Sequence, residues 1–242
     1  LALQLVIIAA GEGSRLRTIT GGENKTLLKL NGKTIIEQII ENASAVNIKD
    51  FVIITGYQHE AIEASIKSLN LNIGIKFVYN PDWKKANGIS VLLGKPHIIE
   101  GEPFMISMSD HIYGADLFST VYNASLDGFE AIVGLDFKIE QVYDIEDAMK
   151  VTVEEDNLKR VTSMSKELSN FDAIDCGVFK CNFEFFIVLE KFKIKENFSL
   201  ADGCNYLIKN GTMGGIDIKD SFWMDIDTPE SFREINNINF VP

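Results

Sequence analysis

The first half of the chain alternates short apolar runs of strand length with segments of helical periodicity. One helix is predicted to begin after Thr34, because Glu37 follows at the spacing of a capping box. A second is predicted over residues 57–69. Strands that alternate with helices in this way form parallel sheets with right-handed crossovers. The predicted strands are residues 3–9, 51–55, 75–79, 104–108 and 130–135.

The second half follows a different pattern. Residues 150–153 and 158–164 alternate apolar and polar side chains around Asp156-Asn157, which predicts an antiparallel hairpin. The sequence therefore combines a parallel first half with an antiparallel element, so we expect a mixed sheet. Further elements are predicted at residues 174–180, 183–190, 200–209 and 213–218, with a last helix that begins at Thr228 and Pro229.

The two halves are predicted to form one domain, because no stretch rich in Pro, Gly or Ser separates them. We describe residues 1–242 as a single domain with halves 1–135 and 136–242. In parallel sheets, ligands bind outside the carboxyl ends of the strands. Several polar segments follow predicted strands and are therefore expected at the same rim of the sheet: the glycine loop at residues 10–15, residues 80–90, and Asp110.

The net charge and the cysteine content limit the classes of binding partner and indicate the cellular compartment. The formal net charge of −12 opposes binding to nucleic acid or to an anionic membrane. The three cysteines include no C-x-x-C pair, so we predict neither a disulfide framework nor a zinc site, and we expect a reducing cytoplasm. No apolar run approaches the ~20 residues of a membrane span. Residues 1–9 lack the basic segment of a signal peptide and are predicted to be a strand.

The glycine loop, Ala10-Gly11-Glu12-Gly13-Ser14-Arg15, is the strongest local signal. Its glycines allow backbone amides to approach a phosphate chain, and Arg15 and Lys25 supply positive charge for a leaving pyrophosphate. A dinucleotide fingerprint G-x-G-x-x-G is the rival interpretation, but Leu16 occupies its last position. A plain tight turn is the other alternative.

Three aspartates are candidate metal ligands. Asp110 ends an apolar strand, and Asp225 and Asp227 lie far along the chain beside Trp223. Mg²⁺ prefers one or two carboxylates together with substrate phosphate oxygens. The alternatives are a helix N-cap for Asp110 and a solvated turn for the other two. The three histidines share no metal-ligand spacing, and we expect them to be surface or hydrogen-bonded residues: His59, His97 and His111.

In this order the motifs resemble those of the nucleotidyltransferase superfamily that makes NDP-sugars and CDP-alcohols. Residues 9–16, AAGEGSRL, are similar to its A-A-G-x-G-[ST]-R-[LM] signature. Lys25 matches a later lysine, although Asn24 stands where proline is usual. Asp110 matches a metal-binding aspartate. Residues 223–225 resemble the W-x-D of the sugar branch, and Asp227 matches the second acidic position of the cytidylyl branch.

Within the superfamily, the chain most resembles the CTP:inositol-1-phosphate cytidylyltransferases. The resemblance covers nearly the whole sequence. It is carried by residues 87–90 (NGIS), 109–113 (SDHIY), 144–151 (DIEDAMKV), 171–177 (FDAIDCG) and 223–228 (WMDIDT). It implies an α/β fold of the three-layer, Rossmann-like (GT-A-like) type with a mixed central sheet. It also implies a cytoplasmic enzyme, for which we consider a homodimer.

The resemblance implies transfer of CMP from CTP to a phosphorylated polyol, inositol 1-phosphate first. The implied catalytic residues are Arg15 and Lys25. The implied Mg²⁺ ligands are Asp110 with Asp225 or Asp227. The implied acceptor-binding residues are Lys150 and Asp175, in the acceptor-binding half. The implied nucleotide-binding residues are Ala9, Ala10, Gly11, Glu12, Gly13, Ser14, Asn87, Gly88 and Ser90.

Other interpretations stay open at the level of sequence. The same chemistry serves a sugar 1-phosphate or phosphocholine, and Trp83, Tyr113 and Tyr143 are candidates for an aromatic cage around choline. A regulator that binds nucleotide without reacting is a different class, disfavoured because the charged positions are present. A dehydrogenase is disfavoured by the broken glycine fingerprint.

Overall fold

The computed structural model describes residues 3–154 and 160–238. Within them the helices are α1 (Arg17–Thr20), α2 (Ile35–Ala45), α3 (His59–Ser68), α4 (Gly88–Leu93), α5 (Ala115–Asn123), α6 (Glu184–Glu190), α7 (Leu200–Lys209) and α8 (Pro229–Asn237). The strands are β1 (Gln4–Ala9), β2 (Lys29–Leu30), β3 (Lys33–Thr34), β4 (Asp50–Thr55), β5 (Gly74–Tyr79), β6 (Phe104–Met108), β7 (His111–Tyr113), β8 (Ala131–Asp136), β9 (Lys150–Val153), β10 (Val161–Ser165), β11 (Ala173–Cys181), β12 (Met213–Asp217) and β13 (Trp223–Asp225).

The main sheet is mixed, as the sequence predicts. β1 lies between β4 and β6 and is parallel to both, and β5 continues the parallel part beyond β4. The long strand β11 is antiparallel to β6 and to β8, and β12 is parallel to β8. Because β11 pairs directly with β6, one continuous sheet runs through both halves of the chain.

Helices cover both faces of this sheet. Successive side chains of a strand point to opposite faces, and in β1 Leu5 and Ile7 pack with α2 and α5, whereas Val6 and Ile8 pack with α4, α6 and α7. The three-layer arrangement is therefore confirmed. The capping box of α2, with Thr34 and Glu37, is also confirmed.

The predicted hairpin is present as β9 and β10, which pair antiparallel. Its predicted turn, Asp156-Asn157, lies outside the described residues. Four short elements were not predicted: α1, α4, α5 and the ladder of β7 with β13. In the part of the chain that the structure covers, no helix combines the length and the apolar character that a bilayer crossing requires.

Candidate functional site

The glycine loop leaves the carboxyl end of β1 and is shaped around Lys25. Gly13 adopts the left-handed conformation (φ +62°), which costs glycine little. A Cβ atom at this position would lie 2.6 Å from Lys25 Cδ, closer than two carbons approach. The alkyl chain of Lys25 thus crosses the loop at the position where the sequence provides no side chain.

Asn24 replaces the usual proline and anchors the same loop. Its side chain is fully buried. Its amide donates to the carbonyls of Gly11 (3.1 Å) and Tyr57 (3.0 Å), and its Oδ1 accepts from the backbone N–H of Thr26. Asn24 therefore positions Lys25 through hydrogen bonds. In the family that the chain resembles, the rigid ring of a proline usually stands at this position.

We expect Gly13→Ala to lower kcat/KM and to destabilise the fold by about 1–2 kcal/mol, because a Cβ is strained in the left-handed region and displaces Lys25. Gly21→Ala is the matched control, since Gly21 has the same φ of +62° and a Cβ added there would meet no neighbouring side chain within 4 Å. Urea unfolding should show a loss of stability for both variants and a larger one for Gly13→Ala, while kcat/KM should fall only for Gly13→Ala. Equal activities of the two variants would contradict this role of Gly13.

A short ladder brings the distant acidic residues together. β7 follows Asp110 directly and pairs antiparallel with β13, so that His111 lies opposite Asp225. The backbone N–H of Ile226 donates to the carbonyl of Asp110 at 2.8 Å. These backbone contacts place Asp225 beside Asp110 at the rim of the sheet.

Lys25 holds its ammonium group between two carboxylates. Nζ lies 2.6 Å from Asp110 Oδ2 and 2.5 Å from Asp227 Oδ1. Burial opposes the charged form, but both carboxylates outweigh it and raise the pKa of Lys25 well above its usual range. Burial likewise opposes ionisation of Asp110, yet Lys25 and His111 hold the pKa of that carboxyl well below its usual range. Lys25 and Asp110 are therefore both charged at neutral pH.

Arg15 links the glycine loop to the second half of the chain. Its guanidinium donates to Asp147 Oδ2 at 2.7 Å and also to Asp227 Oδ2. Asp147 Oδ1 accepts from Lys166 Nζ at 2.7 Å. Positive and negative side chains thus alternate along the rim. We call this set the charge row: Lys25, Asp227, Arg15, Asp147 and Lys166.

The structure distinguishes Asp225 from Asp227 as a candidate metal ligand. Both oxygens of Asp227 are engaged by cations, Oδ1 by Lys25 and Oδ2 by Arg15. Asp225 Oδ1 is buried and has no hydrogen-bond partner among the described residues. Burial is the main cause that raises the pKa of Asp225 to about 7, and the charges of Asp110 and Asp227 add to it against His111. A divalent cation between Asp110 and Asp225 would relieve this repulsion, so the donor set fits one.

His111 is a residue whose position the sequence did not predict. It is buried, with Nδ1 2.8 Å from Asp110 Oδ1 and 3.7 Å from Asp225 Oδ1. Burial opposes the charged imidazolium, but Asp225 and Asp110 outweigh it and raise the pKa of His111 to about 9. The only sequence signal is its position directly after Asp110.

A cavity of about 360 Å³ opens beside these charges. Asn87, Asp175 and Lys166 line it together with Asp110 and Asp225. Apolar side chains form much of the remaining wall: Met108, Met149, Met164, Phe179, Leu200 and Cys204. The cavity therefore combines a charged rim with an apolar floor.

Several residues predicted from the resemblance are not among the described residues that line this cavity: Ala9, Ala10, Gly11, Glu12, Gly13, Ser14, Arg15, Lys25, Gly88, Ser90 and Lys150. Arg15 and Lys25 contact carboxylates that do line it, namely Asp110, Asp147 and Asp227. The Nζ of Lys150 donates to the carbonyls of Lys166 (2.6 Å) and Glu146 (3.3 Å). Ser90 is buried and its hydroxyl accepts from Asn80 at 2.9 Å, and Gly88 is buried where α4 begins. Lys166, which the sequence did not single out, lines the cavity instead.

The rim loop, the buried lysine and the acidic residues agree with one known family. The sequence pattern of the MobA-like NTP transferase domain matches residues 5–140, more than half of the chain. The chain belongs to this family. The superfamily inferred from the glycine loop is thereby confirmed.

Curated relatives extend over nearly the whole chain. A protein of Aquifex aeolicus named Bifunctional IPC transferase and DIPP synthase is 32% identical over 95% of this chain and 50% of its own length. A protein of the same name from Archaeoglobus fulgidus is 28% identical over 97% of this chain and 43% of its own length. The chain thus spans about half the length of these relatives.

Solved structures share the fold of this NTP transferase domain. The inositol-1-phosphate CTP transferase from T. maritima has a TM-score of 0.85 at 22% identity, covering 99% of this chain and 97% of that chain. A UDP-glucose pyrophosphorylase complexed with UDP-glucose has a TM-score of 0.82 at 17% identity, covering 98% of each chain. At these identities the likeness confirms the nucleotidyltransferase fold.

Ionisation of the buried Asp175 is expected to lower the free energy of unfolding of this NTP transferase domain. Burial is the main cause that raises the pKa of Asp175 to about 6, although the backbone N–H of Gly177 donates to its carboxylate. The folded chain thus holds the proton more tightly than the unfolded chain, and stability falls as pH rises from about 4 through 6. We expect Asp175→Asn to raise the free energy of unfolding by about 1–3 kcal/mol at neutral pH.

Urea unfolding at about pH 4 and about pH 8 measures this effect. The gain in the free energy of unfolding from Asp175→Asn should be present at about pH 8 and largely absent at about pH 4. Asp220→Asn is the control, because Asp220 is exposed. A gain of equal size at both pH values would show that ionisation of Asp175 is not its cause.

Proposed function

We propose that this NTP transferase domain transfers CMP from CTP to inositol 1-phosphate and releases pyrophosphate. The observation that carries the proposal is the placement of Lys25, buried between Asp110 and Asp227, two carboxylates that line the cavity. The names of the Aquifex aeolicus and Archaeoglobus fulgidus relatives support this choice of substrates.

The reaction needs no covalent intermediate. A phosphate oxygen of the acceptor attacks the α-phosphorus of CTP, and the bond from that phosphorus to the bridging oxygen breaks as pyrophosphate leaves. The amides of residues 11–14 and Arg15 bind the β- and γ-phosphates. Lys25 stabilises the charge that develops at the α-phosphoryl group. Asp110 and Asp225 would hold a Mg²⁺ ion, which would supply further neutralisation of phosphate charge.

The cavity provides the acceptor site in this proposal. Lys166 and Asp175 line the cavity. We assign Lys166 to the acceptor phosphate and Asp175 to hydrogen bonds from acceptor hydroxyl groups. Lys150 acts indirectly, because its ammonium holds the backbone carbonyls of Glu146 and Lys166. Asn87 also lines the cavity, next to Gly88, and we assign it to the cytosine.

Several predictions from sequence belong to the same proposal. They are Mg²⁺ as the ion, a cytoplasmic location, a homodimeric assembly, and one domain with nucleotide-binding residues 1–135 and acceptor-binding residues 136–242. The description as one domain is supported by the sheet, since β11 of the second half pairs with β6 of the first.

Pyrophosphate release across the four NTPs and three acceptors, with and without Mg²⁺, tests the function. The acceptors are inositol 1-phosphate, phosphocholine and glucose 1-phosphate. We expect release only with CTP, inositol 1-phosphate and Mg²⁺ together, with CDP-inositol identified by mass spectrometry. Release with another acceptor would overturn the substrate assignment. Binding of CTP without release in any combination would favour a regulator.

A further inference from the structure

The imidazole of His111 is held rigidly at the candidate metal site. Its ring stacks between Trp223 (centroids 5.6 Å apart, planes at 18°) and Tyr113 (5.7 Å, 24°). Trp223 is itself fixed, because its indole N–H donates to Asp136 Oδ2 at 2.9 Å, and Asp136 is buried. The direction in which Nδ1 points is therefore set by packing and not by solvent. A cation bound at Nδ1 takes the place of the proton that Nδ1 shares with Asp110 Oδ1.

Three candidate donor groups lie close together. Asp110, His111 and Asp225 each offer one ligand atom, and these atoms lie within 4.8 Å of one another. The separations of 2.8 Å and 3.7 Å from Nδ1 to the two carboxylates suit ligands at about 2.0–2.2 Å from one cation. Asp225 Oδ1 has no hydrogen-bond partner within residues 3–154 and 160–238, so it is available to an ion.

This arrangement does not compete with Lys25. Asp110 presents Oδ2 to Lys25 and Oδ1 to His111. Both oxygens of Asp227 are bonded to Lys25 and Arg15, so Asp227 is not needed as a ligand. A cation bound by Asp110, His111 and Asp225 leaves the charge row intact.

We propose that His111 Nδ1 is a direct third ligand of the divalent cation, so that the substrate-free protein binds Mn²⁺ and Co²⁺ more tightly than Mg²⁺. An imidazole nitrogen favours these softer ions, whereas Mg²⁺ prefers oxygen donors throughout. The inference rests on the proposed function only in placing a metal at this site. Nucleotide phosphates, which are all-oxygen ligands, narrow the difference between the ions once substrate is bound.

Metal binding to the substrate-free protein tests this assignment. Pulsed EPR of bound Mn²⁺ detects coupling to a directly bound imidazole nitrogen, and titrations give Kd for Mn²⁺ and Mg²⁺. The variants are His111→Asn, which offers an oxygen near the position of Nδ1, and His111→Phe, which retains a stacking ring without a ligand. His97→Asn is the matched control, because His97 lies outside the cavity lining.

We expect nitrogen coupling in the wild type and in His97→Asn, and none in His111→Asn. His111→Asn should weaken Mn²⁺ binding by at least about tenfold while Mg²⁺ binding changes little, and His111→Phe should weaken both. Absence of nitrogen coupling from Mn²⁺ bound to the wild type would overturn the proposal. So would an equal loss of both ions in His111→Asn with the fold intact. No substrate is present, so these outcomes do not depend on which acceptor is used.

Discussion

Replacing Lys25 by methionine is expected to lower kcat/KM by about 10²–10³-fold, the usual effect of removing one preorganised group that stabilises transition-state charge. Methionine retains much of the alkyl chain that packs against Gly13. The loss should fall mainly on kcat, because in the proposed reaction the ammonium stabilises charge that develops only in the transition state. Steady-state rates of pyrophosphate release, with CTP and the acceptor varied separately, measure the effect.

The same substitution is expected to destabilise the fold, because Asp110 loses one of its two cationic partners and keeps only His111. The expected cost at pH 7 is about 3 kcal/mol. Since Lys25 lowers the pKa of Asp110, its contribution is present above about pH 4 and is lost as pH falls further. Lys29→Met, at an exposed position of β2, is the control. A folded Lys25→Met variant with near-normal turnover would refute the catalytic role.

The second large effect separates the two candidate acidic ligands. Asp225→Asn is expected to raise the metal concentration for half-maximal activity by at least about tenfold, because under the proposed assignment it removes a direct ligand. Asp227→Asn should leave that concentration nearly unchanged and should instead raise KM for CTP, since Lys25 and Arg15 each lose a partner. Activity measured over a range of Mg²⁺ concentrations at saturating substrates gives the first value, and activity measured over a range of CTP concentrations gives the second.

The free energy of unfolding gives an independent way to distinguish Asp225 from Asp227 as the metal ligand. The pKa of Asp225 is raised to about 7, so its ionisation costs the metal-free fold stability as pH rises through 7. In EDTA at about pH 8, Asp225→Asn should therefore stabilise the protein, whereas Asp227→Asn should destabilise it by breaking two ion pairs. The reverse pattern would assign the metal to Asp227.

Much of the fold follows from local patterns in the sequence. The strands of the first half are apolar runs bounded by helices, and the cap of α2 is specified by Thr34 and Glu37. These signals depend only on residues that are close together in the sequence, so they can be recognised without knowledge of the fold. The rim position of the glycine loop and Asp110 follows from the same alternation, since both come after parallel strands.

The rest of the site depends on pairings between distant segments. The ladder of β7 and β13 is only three residues long on each strand, so it has no periodicity to detect. It nevertheless decides that Asp225 faces Asp110 and that His111 joins them. The exchange of Lys150 for Lys166 at the cavity has a similar cause, because both lie at the ends of the paired strands β9 and β10.

The charge row has a consequence for the order in which substrates bind. Arg15 is held by Asp147 and Asp227, and Asp147 also holds Lys166. A triphosphate that engages Arg15 removes one of the two cations on Asp147, which draws Lys166 more strongly toward that carboxylate. In the proposed reaction, an acceptor that enters after CTP would therefore meet Lys166 held more firmly by Asp147 than in the free protein.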